Sequence, residues 1–146
     1  MTFPAHLLLG LVIGKVMGNY PVTILASTLV DIDHLQSYIK HGLLSRPKEL
    51  WSTLTSQDDP YGDQRGIFHN VMFFALTSWV LISLFSSVGW VIAAGWLGHL
   101  CLDALDSSDY WPLYPYKRIN LKGPIDYNSK AEVIFCFSLV IVYFFV

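Results

Sequence analysis

Gly95-Trp96-Leu97-Gly98-His99-Leu100-Cys101-Leu102-Asp103 is apolar on nearly every side, yet it carries a histidine and an aspartate four residues apart. On a helix, positions i and i+4 share one face, one turn apart. Both groups therefore project the same way from a segment that otherwise avoids water. An ionisable pair in such a segment is costly unless it meets a partner. Three further clusters offer one: His6, Asp31-Ile32-Asp33-His34, and Gln64-Arg65-Gly66-Ile67-Phe68-His69. Two readings follow from the residues alone, a metal site at the edge of a membrane or a hydrogen-bonded polar patch between helices.

The composition narrows the fold class. The 146 residues suit one domain, and they are 53% hydrophobic and only 14% charged, against about 25% charged in soluble domains. The charges cluster, leaving long apolar stretches. The pattern predicts an all-α fold, a polytopic membrane bundle of four or five helices over residues 1–146. A net charge of -2 argues against a nucleic-acid partner. Cys101 and Cys136 both lie in apolar segments and form no Cys-x-x-Cys pair, so neither a disulfide framework nor a thiolate zinc site is expected. The apolar run from Phe3 to Val30 lacks a basic n-region, is interrupted by Lys15 and is followed by no small-x-small cleavage site. It reads as a retained membrane segment rather than a signal peptide.

Gly18-Asn19-Tyr20-Pro21 is a turn signal. It divides the first stretch into an N-terminal helical hairpin, residues 4–18 and 22–31, with arms of about 22 and about 15 Å. Each arm is short for a hydrocarbon layer of about 30 Å. Gly10 and Gly14 supply a small-xxx-small spacing for close helix packing. The hairpin returns Asp31, Asp33 and His34 to the side of His6. Residues 35–66 read as a polar loop with a short interfacial helix starting near Ser45-Arg46-Pro47 and a turn at Gln57-Asp58-Asp59-Pro60-Tyr61-Gly62. Residues 67–85 and 90–105 read as an antiparallel pair joined at Ser86-Ser87-Val88-Gly89, which brings His99 and Asp103 to the level of His69. Residues 106–130 form a second polar loop, where Pro112, Pro115 and Pro124 argue against helix and Tyr110, Trp111, Tyr114, Tyr116 and Tyr127 suit an interfacial belt. Residues 131–146 form a last apolar helix. Of the nine basic residues only Lys15 lies away from the site face. The positive-inside rule then makes that face cytoplasmic, in an inner or plasma membrane.

His6, Asp31, Asp33, His34, His69, His99 and Asp103 are thus expected on one membrane face. Imidazole and carboxylate donors without thiolates suit zinc first, then manganese or iron. A metal there makes a bound water nucleophilic near neutral pH. The expected metal ligands are His6, Asp31, Asp33, His69, His99 and Asp103. Asp33 or His34 would act as general base. Arg65 would hold a phosphate, since its fork matches two oxygens.

His6-x3-Gly10, Asp31-x-Asp33-His34, Arg65-Gly66-x-x-His69 and Gly95-x3-His99-x3-Asp103 together resemble the membrane-bound metal-dependent hydrolase family, the LexA-binding, inner membrane-associated hydrolases of the YdjM type. The resemblance covers most of the chain and implies a helical membrane protein with a metal-dependent hydrolytic site. The sequence departs from the family at Gln64, where a histidine is usual, at Phe68 and Asn70, where threonine and serine are usual, and at Ala5, Val30 and Gly98, where threonine, proline and serine are usual. His99-x3-Asp103 is also similar to a piece of the all-helical zinc-dependent phospholipases C, which suggests phosphoester or lipid-linked substrates beside membrane lipids. No protein partner follows from the residues. The alternatives are a non-catalytic integral membrane protein whose His/Asp cluster holds helices or a partner, favoured by Gln64 and Phe68, and a metal or proton carrier.

Overall fold

The computed structural model of the chain describes residues 1–55 and 61–146. The expected turn with its acidic pair Asp58 and Asp59 therefore lies, but for Tyr61 and Gly62, outside the described residues. The described chain is helical: α1 Phe3–Met17, α2 Tyr20–Thr28, α3 Ile32–Lys40, α4 Pro47–Thr55, α5 Val71–Leu105 and α6 Lys130–Phe145, with 3-10 turns at Leu29–Asp31, Leu43–Ser45 and Ile67–His69. Two isolated bridges, Asp106 to Ile125 and Tyr110 to Leu121, tie the loop between α5 and α6.

The N-terminal hairpin forms where the turn residues put it. Gly18 ends α1 at a φ of 69°, a left-handed conformation that costs glycine nothing. The Asn19 side chain then caps α2 by accepting from the Val22 N–H. The arms approach closely because a Cβ on Gly10 would fall 2.2 Å from Ser27 Oγ, and one on Gly14 would fall 2.7 Å from Thr23 Oγ1. The 3-10 turn after α2 leads straight into α3, a helix inside what the sequence reads as loop. Its Asp33, Ser37 and Tyr38 face inward while Leu35 and Ile39 stay exposed. The short helix α4 starts at Pro47, close to the expected interfacial segment, and buries nothing.

α5 is one helical element of 35 residues with a break at Ser86, whose φ and ψ are 39° and -102°. The break reverses the chain. A Cβ on Gly89 would lie 2.4 Å from the Leu81 carbonyl oxygen and 2.6 Å from Ile82 Cα, so residues 71–85 and 87–105 run side by side from the turn. At their far ends His69, in the turn before α5, meets His99. By length and composition Val71–Leu105, taken end to end, is the one described helical element long and apolar enough to cross a membrane, and the break at Ser86 divides it into two arms. The first arm starts at Val71 rather than at residue 67, because Asn70 caps it by accepting from the Met72 and Phe73 N–H groups.

Burial is inverted relative to a water-soluble bundle. Trp79, Leu84, Phe85, Trp90, Phe137 and Phe144 are among the exposed residues, while His6, Asp33, His69, His99, Asp103, Asp106 and Glu132 are buried. Two small apolar clusters flank these polar groups. One is Val30, Trp96, Leu100 and Tyr110, and the other is Met1, Ala5 and Leu102.

Candidate metal centre

Four segments deliver the polar groups. One helical turn beyond Gly95, where a Cβ would meet Thr23 and Ala26 of α2, α5 presents His99 and, one turn on, Asp103. The turn Ile67–His69 supplies His69, the turn Leu29–Asp31 supplies Asp31, and α1 supplies His6. His69 Nε2 lies 3.2 Å from His99 Nε2 and 3.1 Å from Asp103 Oδ2. His99 Nε2 is 3.5 Å from Asp103 Oδ2 and 3.5 Å from Asp31 Oδ1. Asp31 Oδ1 is 3.7 Å from His69 Nε2. Four ligands about 2.0–2.1 Å from a tetrahedral metal stand about 3.3–3.4 Å apart. Among His69, His99 and Asp103, which come close enough to share an ion, the separations of 3.1 to 3.5 Å bracket that value, and Asp31 Oδ1 stands 3.5 and 3.7 Å from the two imidazole nitrogens.

The tautomers support the same reading. His99 Nδ1 sits 2.7 Å from the Ser27 carbonyl oxygen, which only accepts, so Nδ1 carries the hydrogen. His69 Nδ1 sits 3.1 Å from Asp33 Oδ2, which also accepts from the Phe68 N–H at 2.8 Å. Both rings thus turn Nε2 towards the other, and two facing lone pairs 3.2 Å apart need a positive charge between them. Burial alone would push His69 down. The Asp103, Asp31 and Asp33 carboxylates outweigh it and hold the ring up to about 10. A proton or a divalent cation answers that demand equally, and the donor set of two imidazoles and two carboxylates fits zinc, manganese or iron.

The remaining site candidates take other places. Asp33 stands on the far side of His69, at Nδ1 rather than Nε2, and orients the ring instead of joining the four donors. His34 Nε2 is 3.4 Å from Asp31 Oδ1. Burial pushes His34 down to about 4, so it is neutral at pH 7. The His6 ring stacks on His99 at 3.9 Å, and neither of its nitrogens has a hydrogen-bond partner among the described residues. Its Nε2 lies 3.5 Å from Asp103 Oδ1. His6, Asp31 and His99 also come close enough to share an ion. Arg65 is nearly buried against the site. Its Nε is 3.3 Å from Asp103 Oδ2, and its Nη1 donates to the Asp109 carbonyl at 2.8 Å.

Several partners carry no recognisable sequence signal. The Met1 ammonium lies 3.0 Å from Asp103 Oδ1 and 2.5 Å from Asp106 Oδ2. Buried Glu132 holds the next residue, accepting from the Thr2 hydroxyl at 2.9 Å. Trp96 Nε1–H donates to the Phe68 carbonyl, and the Tyr110 hydroxyl donates to the His69 carbonyl, both at 2.8 Å. These two bonds clamp the turn that carries His69. Beside the four donors opens a polar cavity of about 400 Å³, with Asp31, His34, Arg65, Asp103, Lys117 and Lys122 on its walls.

A family model described as YdjM inner membrane protein matches residues 1–146, and the chain belongs to that family. No curated protein and no solved structure matches it.

Proposed function

We infer that this inner membrane protein is a metal-dependent hydrolase, acting on a phosphoester or similar bond at the cytoplasmic face of a bundle of several membrane-crossing helices. The convergence of His69 Nε2, His99 Nε2 and Asp103 Oδ2 within 3.5 Å of one another, with Asp31 Oδ1 3.5 and 3.7 Å from the two imidazole nitrogens, carries the reading. Zinc would be held by His69, His99 and Asp103, three protein donors that leave the fourth tetrahedral position to water, with the Asp31 carboxylate beside it. Such an ion would supply a water nucleophilic near neutral pH and polarise a phosphoryl oxygen.

The chain's own residues do the rest. The Ser27 carbonyl and the Asp33 carboxylate fix which nitrogen each histidine offers. His34, neutral and on the cavity wall beside Asp31, takes a proton from the attacking water. Arg65, Lys117 and Lys122 give the cavity its positive lining and attract the phosphate oxygens. Eight of the nine basic residues sit on that side and only Lys15 on the other, which orients the site to the cytoplasm.

One observation favours the non-catalytic reading. Arg65 Nε, 3.3 Å from Asp103 Oδ2, already offsets that carboxylate's charge, so the cluster could also hold the helices together without an ion. Metal content of detergent-purified protein separates the two. About one or two equivalents in the wild type, lost in His99→Ala/Asp103→Ala, supports the hydrolase and justifies an ester screen with that metal. No metal in either protein, even after incubation with zinc and manganese, leaves only the helix-holding network.

A further inference from the structure

A second cavity, of about 490 Å³, runs along the outside of the bundle between α2 and the second arm of α5. One wall is Val22, Leu25 and Ala26 of α2 with Leu29 of the turn that follows, and the other is Val88, Ile92 and Trp96 of α5. At a rise of about 1.5 Å per residue these walls are about 10–12 Å long. The floor carries no charged side chain. Its one polar group, the Trp96 indole N–H, is already donated to the Phe68 carbonyl. A peptide or a polar ligand would find nothing there to pair with, whereas a hydrocarbon chain would lose no hydrogen bond on entering.

The groove also has a direction. It starts at Val88, beside the Ser86 reversal, and ends at Val30, Ile32 and Phe68. Val30 and Ile32 flank Asp31, Phe68 precedes His69, and Trp96 lies one turn before His99. Its inner end is thus built by the residues next to three of the four converging donors. Its rim residues Leu25, Leu29, Ile32 and Val88 are exposed, on a surface that in an inner membrane protein faces acyl chains rather than water.

We propose that this groove is a chain-binding subsite that seats one acyl chain of a membrane lipid, with the lipid's polar end at the His69/Asp31 edge of the metal centre. It rests on the hydrolase reading for its purpose but not for its test. The protein is placed in nanodiscs of phosphatidylglycerol and phosphatidylethanolamine containing increasing fractions of dibrominated-chain phospholipid, which quenches tryptophan on contact. Two single-tryptophan variants are compared, one keeping Trp96 at the groove floor and one keeping Trp79, which faces outward with 67% of its surface exposed. A seated chain quenches Trp96 at several-fold lower bromolipid fraction than Trp79, and Leu25→Phe/Val88→Phe, which narrows the mouth from two exposed rim positions, removes that excess. Equal or weaker quenching of Trp96 overturns the proposal, as does protection of Trp96 together with Leu29→Cys disulfide cross-links, which would put a second copy of the chain in the groove. In the protein with all five tryptophans in place, the rim substitutions should lower total quenching by the share that Trp96 contributes. Metal content measured on the same samples keeps the two readings apart. Quenching without metal retains the chain site and rejects the hydrolase, and metal without quenching does the reverse.

Discussion

At the scale of residues, the centre depends on which nitrogen of each histidine is free, and that is decided one contact further out. Asp31, at the end of the 3-10 turn, and Asp33, in the first turn of α3, meet different nitrogens of His69, one at Nε2 and the other at Nδ1. The Asp-x-Asp spacing announces two carboxylates near a site but not this division of labour. Asp33→Asn should therefore lower metal affinity by about 10–100-fold while leaving the stoichiometry at saturation unchanged, as titration with a competing chelator would read. If Asp33 were itself a ligand, the stoichiometry would fall too. Gly66→Ala tests the same support more gently. A Cβ there would sit 3.2 Å from Asp33 Cγ, and crowding the carboxylate should weaken the metal less than Asp33→Asn does. The spacing of His99 and Asp103 was legible because the α-helical period dictates it. The Ser27 carbonyl and the Met1 ammonium were not, since a backbone group has no side-chain signature.

At the scale of elements, the position of His99 is set by how closely α2 approaches α5. The contact is built on Gly95, where a Cβ would fall 2.9 Å from the Thr23 carbonyl oxygen and from Ala26 Cβ. Backbone cannot give way, so Gly95→Ala should cost about 1–3 kcal/mol by overpacking and lengthen the His99–Ser27 bond, lowering both thermal stability and metal content. Gly98 is the control. Its added Cβ would meet only the side-chain ends of Ile13 and Leu9, which can move, so Gly98→Ser should keep both properties close to wild type. A second element-scale prediction concerns α3. Burial raises the Asp63 carboxyl, but its bonds to Lys40, Ser37 and His41 outweigh that and hold it down to about 2. Its folded value therefore lies below the ordinary one of about 3.9. The tie is fully present above that ordinary value and is lost as pH falls towards about 2. Amide exchange in α3, corrected for intrinsic rates, should rise between pH 5 and pH 3, and Asp63→Asn should show the faster exchange already at pH 5. An unchanged profile in Asp63→Asn would detach α3 from this contact. Of the elements, both hairpins were legible from their turn residues, Gly18-Asn19 and the segment around Ser86. α3 was hidden because its inward face is Asp33, Ser37 and Tyr38, which reads as loop in a sequence whose other helices are apolar.

At the scale of the whole molecule, the arms are short. α1, α6 and the first arm of α5 have 15 or 16 residues, about 22–24 Å of helix against about 30 Å of hydrocarbon. Bilayer thinning and the exposed aromatics Trp79, Trp90 and Phe144 can absorb that mismatch, so crossing and lying within one leaflet make different predictions about which ends reach water. The two ends of the bundle are chemically distinct. Lys15 and Tyr143 meet at one end, where the Lys15 ammonium donates to the Tyr143 carbonyl at 2.7 Å, while Lys117 and Lys122 line the polar cavity at the other. A chain that crosses with the basic end inside should expose Lys117→Cys to a membrane-impermeant maleimide only in inside-out vesicles and Asn19→Cys only in right-side-out cells, with Cys101 and Cys136 changed to serine to remove background. Labelling of both positions from the cytoplasmic side would mean that the hairpins dip into one leaflet and return. Labelling of Lys117→Cys from the outside would invert the site and require its substrate to come from beyond the inner membrane. The apolar exterior accommodates any of the three arrangements. The distribution of basic residues separates them, because each lysine or arginine left on the far side opposes the charge bias that orients the first helices during insertion, and here that bias rests on eight residues against one.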